Sequence, residues 1–136
     1  MITIKVKVTA TQKSETVDIQ DTDGHAEFLD FGDTKRIVYQ EGCGGINTLD
    51  IGEDYILMNR VHEWLTQIHF SQDENASARM VTEEGEIRFD IHVLELNIEE
   101  DQLYVQYELR DGDALIDVHT FKLVWSKEEE AWLEIH

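Results

Sequence analysis

The sequence has no proline, a single cysteine and no long apolar run. Without proline, and without Ser-rich stretches or internal repeats, nothing in the 136 residues marks a linker or a place to divide the chain. With Cys43 alone no internal disulfide can form, which excludes the small disulfide-stapled scaffolds. The longest unbroken apolar run, Tyr55–Met58, is far short of the roughly 20 residues that a membrane-spanning helix needs. From Ile2 onward apolar and polar residues alternate, where a signal peptide would carry an apolar core, so a cytoplasmic location is expected.

Basic residues are also scarce. Eleven Lys and Arg face thirty Asp and Glu, a formal charge of −19, and the largest basic cluster is the pair Lys35-Arg36. Affinity for nucleic acid and for anionic membrane comes largely from clustered Lys and Arg, so neither is an expected partner. The acidity leaves three readings: a basic protein partner, bound metal ions, or solubility alone.

What is present is enough apolar material for a core. Apolar residues make up 41% and aromatics 9%, more than a disordered chain carries, and the length corresponds to one domain over residues 1–136. The dominant pattern has period two, the signature of strands. Ile2, Ile4, Val6 and Val8 alternate with polar residues, as do Leu103, Val105, Tyr107 and Leu109. Shorter runs of the same kind are Thr16–Gln20, Glu27–Phe31, Arg36–Glu41, Asn47–Ile51, Tyr55–Arg60, Trp64–Phe70 and Ser77–Thr82. Asp23-Gly24, Glu84-Gly85 and Asp111-Gly112 read as turns in which glycine takes a positive φ.

Two long strands change phase. Ile87, Phe89, Ile91 and Val93 are odd-numbered, then Leu94, Leu96 and Ile98 are even; Ala114, Ile116 and Val118 are even, then Phe121, Leu123 and Trp125 are odd. An inserted residue shifts an apolar set between faces, so β-bulges are expected near Val93–Leu94 and His119–Thr120. The tail Ser126–His136 fits a hairpin, with Ala131, Leu133 and Ile135 in phase; Ser126 and Glu129 also fit the capping box of a helix. About ten short strands joined by tight turns predict an all-β fold, a single antiparallel β-barrel rather than a sandwich, because bulged continuous strands leave no open edges.

From Val38 to Leu123 the chain resembles the YwiB-like proteins, a bacterial family of unknown function with a calycin-like (lipocalin-like) β-barrel. The residues that carry the resemblance are Tyr39-x-Glu41, Thr48 with Ile51, Arg60, Phe70, Thr82-x-x-Gly85, Val105-x-Tyr107-x-Leu109 and Phe121-x-Leu123. The chain departs from the family in having Val61-His62 after Arg60, where a glycine is usual, and Met80 where an aromatic is frequent. The resemblance implies a fold and transfers no site.

Chemistry-bearing residues are few. Asp21-x-Asp23-Gly24, with Glu27 and Asp30, has part of the spacing of a calcium loop, but Ile19 occupies the first ligand position and the plain reading is an Asp-rich turn. The six histidines contain no His-x-His pair, and His62 and His69, seven apart, would face opposite sides of one straight strand, so no metal site is predicted. Cys43 sits among glycines without a base nearby in sequence. The acidic triplets Glu83-Glu84-x-Glu86, Glu99-Glu100-Asp101 and Glu128-Glu129-Glu130 fall at turns. They read as solvated hairpin ends or as a docking patch for a basic partner.

Four residues stand out as ligand-binding candidates: Tyr39, Glu41, Arg60 and Tyr107. Tyr107 shares a face with Leu103, Val105 and Leu109, and Arg60 has the parity of Ile56 and Met58. Glu41, in phase with Ile37 and Tyr39, is the expected counter-charge of Arg60. Inside a barrel such groups orient a small ligand's carboxylate or carbonyl, or else bolt a packed interior together. A barrel of about eight strands sits at the margin between a filled interior and one holding a small ligand. No catalytic triad and no cofactor is legible.

Overall fold

The structure is a computed structural model that describes residues 2–12, 17–41, 44–72 and 76–127. Ten strands follow one another: β1 (Ile2–Gln12), β2 (Val17–Asp30), β3 (Lys35–Gln40), β4 (Ile46–Ile51), β5 (Tyr55–Val61), β6 (Leu65–Ser71), β7 (Ser77–Thr82), β8 (Gly85–Ile98), β9 (Gln102–Asp111) and β10 (Ala114–Lys127). Each pairs antiparallel with the next, and β10 pairs with β1, which closes the barrel. The expected all-β antiparallel barrel is therefore present, with ten described strands, as the strand count in the sequence predicts. No described strand is left with an unpaired edge.

The meander defines two ends. The turns β3–β4, β5–β6, β7–β8 and β9–β10 lie at one end, called here the top; β2–β3, β4–β5, β6–β7 and β8–β9 lie at the bottom. Period-two patterning points Ile4, Val6, Val8, Ile37, Leu49, Ile56, Leu103, Val105 and Leu123 inward, where they form the core. Two glycines make room for neighbours. A Cβ at Gly52 would run into the Tyr55 ring, and one at Gly45 would run into the Glu41 carboxylate. Gly85 and Gly112 take positive φ at the tops of β8 and β10, as their turns require. The Thr82 hydroxyl closes the first of these turns, donating to the Gly85 carbonyl (3.0 Å) and accepting from the Glu84 N–H (3.2 Å).

The β8 bulge is where the phase change placed it. The register against β9 shifts between Val93 and Glu95, and Leu94 is the extra residue, turned outward and 48% exposed. The β10 bulge is not at His119–Thr120. It lies between Leu115 and Asp117, with Ile116 outside and 46% exposed. The odd parity of Phe121 and Leu123 thus continues upward through His119 to Asp117, and two polar residues face inward where apolar alternation had suggested otherwise.

Asp23-Gly24 is not a turn. The backbone from Asp21 to Gly24 runs within β2, opposite Thr9 to Val6 of β1, and Gly24 has no positive φ. The long alternation of β1 supplies backbone partners along its whole length, so β2 continues as one strand rather than two, and the turn on which a calcium loop depended is absent. Cys43, Glu128-Glu129-Glu130 and the tail beyond Lys127 lie outside the described residues. Among the described residues no helix is long and apolar enough to cross a membrane, and no group of three His, Cys, Asp or Glu could hold a metal ion.

Candidate functional site

The polar inward residues gather at the top, and the bottom interior is apolar. On one wall Tyr39, Asn47 and Arg60 stand directly opposite one another on β3, β4 and β5. All three have the parity of core residues: Tyr39 follows Ile37, Asn47 precedes Leu49, and Arg60 follows Met58. Arg60 Nε donates to Glu41 Oε2 at 2.8 Å, so the expected counter-charge is in place. The pair sits at the rim, with Arg60 half-exposed and Glu41 mostly covered. Glu41 is held by its own backbone, its N–H donating to the Gly45 carbonyl at 2.7 Å and its carbonyl accepting from the Gly44 N–H at 2.9 Å.

Asn47 is the residue that the sequence reading passed over. It is 1% exposed, and its Nδ2 is the one buried side-chain atom without a hydrogen-bond partner among the described residues. Leaving a buried amide donor unpaired costs about 1–3 kcal/mol. The signal was available in its parity: Asn47, Leu49 and Ile51 fall on one face, and only the first is polar.

Tyr107 belongs to a second group. Its phenol is buried and 3.1 Å from His119 Nδ1, while His119 Nε2 lies 3.9 Å from Asp117 Oδ2. Asp117 also accepts from the Val118 N–H at 2.8 Å. Burial pushes the Tyr107 phenol well above its ordinary range, so it stays protonated. Burial likewise lowers the His119 imidazole, with the Asp117 carboxylate partly opposing it. The imidazole is thus held toward its neutral form between the Tyr107 phenol and the Asp117 carboxylate.

A ring contact crosses the interior beside this second group. Phe70 of β6 meets Tyr107 of β9 at 4.8 Å between centroids, and β7 and β8 lie between those strands in the sheet, so this contact spans the interior. Thus Tyr39, Glu41 and Arg60 come together through Asn47, whereas Tyr107 faces His119 and Asp117. The first group offers donors: the Asn47 amide and the Arg60 guanidinium edge left over from Glu41, beside the buried Tyr39. Such a set complements a carboxylate or carbonyl oxygen.

Known proteins share the fold rather than a described chemistry. The chain is similar to the YwiB protein from Bacillus subtilis, whose crystal structure superposes with a TM-score of 0.72 over 93% of this chain and 92% of that one, at 11% sequence identity. No curated protein matches the chain. Residues 2–123, nearly the whole barrel, match the family described as Domain of unknown function (DUF1934), and the chain belongs to that family.

Proposed function

We propose that this barrel is a non-catalytic, cytoplasmic binding module for a small, partly apolar ligand, whose oxygen-bearing end is held at the top of the interior by Tyr39, Asn47 and Arg60. One observation carries this reading: the buried, unpartnered Asn47 Nδ2 between two other polar side chains of the inner face. A folded barrel gains nothing from an orphaned donor there, whereas a ligand oxygen would satisfy it. Glu41 orients Arg60 and leaves the rest of its guanidinium for the ligand. Tyr107 lines the interior from the opposite wall, where its ring meets Phe70.

Native mass spectrometry of freshly purified protein, followed by mass analysis of what denaturation releases, is the first test. A retained carboxylic acid or carbonyl compound is expected. Titration with decanoate as a probe should give saturable binding that Asn47→Leu and Arg60→Ala each weaken by about tenfold or more. A bare mass together with no decanoate binding would overturn the proposal. The alternative, a packed barrel that docks a basic partner on its acidic turns, has less support. Glu83, Glu84 and Glu86 are exposed at the top and Glu99, Glu100 and Asp101 at the bottom, so they do not form one patch.

A further inference from the structure

The outer face of β5–β8 carries a groove of about 410 Å³ running across the strands. One wall is a row of residues in direct cross-strand register: Asn59, Gln67, Arg79 and Arg88. In a chain of net charge −19, two of its few basic residues stand side by side here. Like charges directly opposite each other destabilise a sheet. Glu86 offsets part of that cost, at 3.2 Å from Arg79 and 3.4 Å from Arg88.

The hydrogen bonds along the wall run in one direction. Arg79 Nε donates to Gln67 Oε1, and Gln67 Nε2 donates to Asn59 Oδ1 at 2.7 Å. Arginine can only donate, so Arg79 fixes which end of the Gln67 amide faces it, and Gln67 then fixes Asn59. Both amide oxygens are engaged within the row. The hydrogens left over are those of Asn59 Nδ2, the second Gln67 hydrogen, and the guanidinium edges of Arg79 and Arg88. A wall in which donors outnumber acceptors and two of the groups are cationic favours a ligand rich in acceptors and negatively charged, an oxyanion.

We infer that this groove is a second binding site, on the outside of the barrel, for a small molecule bearing a phosphate or carboxylate group. The oxyanion lies against Gln67, Arg79 and Arg88. The opposite wall includes Leu57, which is exposed and gives the rest of the molecule apolar surface, and Ser77, which is hydroxylic. Asp90 closes the β8 end of that wall and repels the anion toward the arginine row. The chain's overall negative charge does not forbid this, because exposed charges beyond about 8 Å are largely screened at physiological ionic strength and the adjacent arginines dominate locally. The site is independent of the interior and does not rest on the reading of it.

The experiment is a titration of the ¹⁵N-labelled protein with inorganic phosphate, adenosine monophosphate and citrate, each to about 20 mM, well above the ~1 mM dissociation constant that a few charge-assisted bonds supply. The Nε–Hε signals of Arg79 and Arg88 and the side-chain amide signals of Asn59 and Gln67 should move together and saturate. Arg79→Gln should weaken binding about tenfold or more, and Gln67→Glu, which places a carboxylate in the wall, should abolish it. Binding by the phosphates alone, or by citrate alone, identifies which oxyanion the site takes, and either supports the inference. These positions lie on the outer face, and the backbone spectrum of each variant reports directly whether the barrel is intact. The inference is overturned if no probe gives saturable shifts in these side chains, or if Arg79→Gln binds as the parent does. It is also overturned if the same signals move with protein concentration alone, since the wall would then be meeting acidic turns of a second copy.

Discussion

Asn47 and His119 are among the residues at which the barrel departs from simple inside–outside patterning, and burial makes both costly. Asn47 holds an unsatisfied amide in the core. Replacing it with leucine of similar size removes the orphaned donor and adds apolar contact. Asn47→Leu should therefore raise the unfolding free energy by about 1–2 kcal/mol in urea titrations while weakening ligand capture. A destabilised variant would show that the amide already serves the fold itself. His119 carries a pH signature. Its imidazole is lowered in the folded state, chiefly by burial, so above the ordinary value of about 6.5 it contributes no penalty. Below that value the unfolded chain takes up a proton more readily than the folded one, and stability falls as pH drops toward the lower folded value. Between about pH 7.5 and pH 5.5, above the ordinary carboxylate range, the urea midpoint of the parent should fall. That of His119→Gln should fall less. Equal slopes would mean that the imidazole is not desolvated.

Among the elements, the bulges decide which side chains reach the interior, and they show how far period-two reading extends. In β8 the apolar residues themselves switch parity, so the bulge was legible near Val93–Leu94, although Leu94 turns outward instead of sharing the face of Leu96 and Ile98. In β10 the switch was hidden. Ile116 and Val118 are apolar and lie outside or near the surface, while Asp117 and His119 are polar and face in, so hydrophobicity pointed to the wrong face until Phe121 restored the pattern. The same reasoning explains β2, where Asp-Gly chemistry suggested a turn but the partner strand β1 was long enough to keep the backbone paired. The Glu41–Arg60 pair was readable because both residues hold the parity of apolar neighbours. Asn47 was not read, because one amide in a short strand looks like surface until its neighbours are placed. A deletion tests the logic of the bulge. Removing Leu94 would leave Val93 opposite Tyr107, Glu95 opposite Gln106 and Leu96 opposite Val105 in one unbroken register, with Leu96 and Ile98 still inward, so the deletion variant should keep its cooperative urea transition. Leu94→Lys keeps the register at an exposed position and should stay within about 0.5 kcal/mol of the parent. Loss of the cooperative transition in the deletion variant would show that closure of the barrel requires the bulge itself.

For the molecule as a whole, closure and charge act against each other. Ten strands paired in a ring satisfy the described sheet edges, yet the ring carries a formal charge of −19 on a small surface. Several basic residues are paired locally: Arg36 with Asp50 at 2.7 Å, Arg60 with Glu41 at 2.8 Å, Arg79 with Glu86 at 3.2 Å and Arg110 with Glu108 at 3.0 Å. Added salt weakens both these attractions and the wider repulsion. Partly exposed pairs contribute about 0–1 kcal/mol each, and their short range screens them least. The excess acidic charges repel one another over longer distances, where a Debye length of about 10 Å at 0.1 M removes most of the interaction. The repulsion therefore loses more than the pairs do, and Tm should rise as sodium chloride increases from about 0.02 to about 0.5 M. Each kcal/mol relieved corresponds to roughly 3–5 °C for a domain of this size. Chloride is the appropriate anion, because sulfate would stabilise any fold through its exclusion from the surface. A flat or falling Tm would mean that the cross-strand ion pairs, rather than apolar closure of the ring, hold the outer face together.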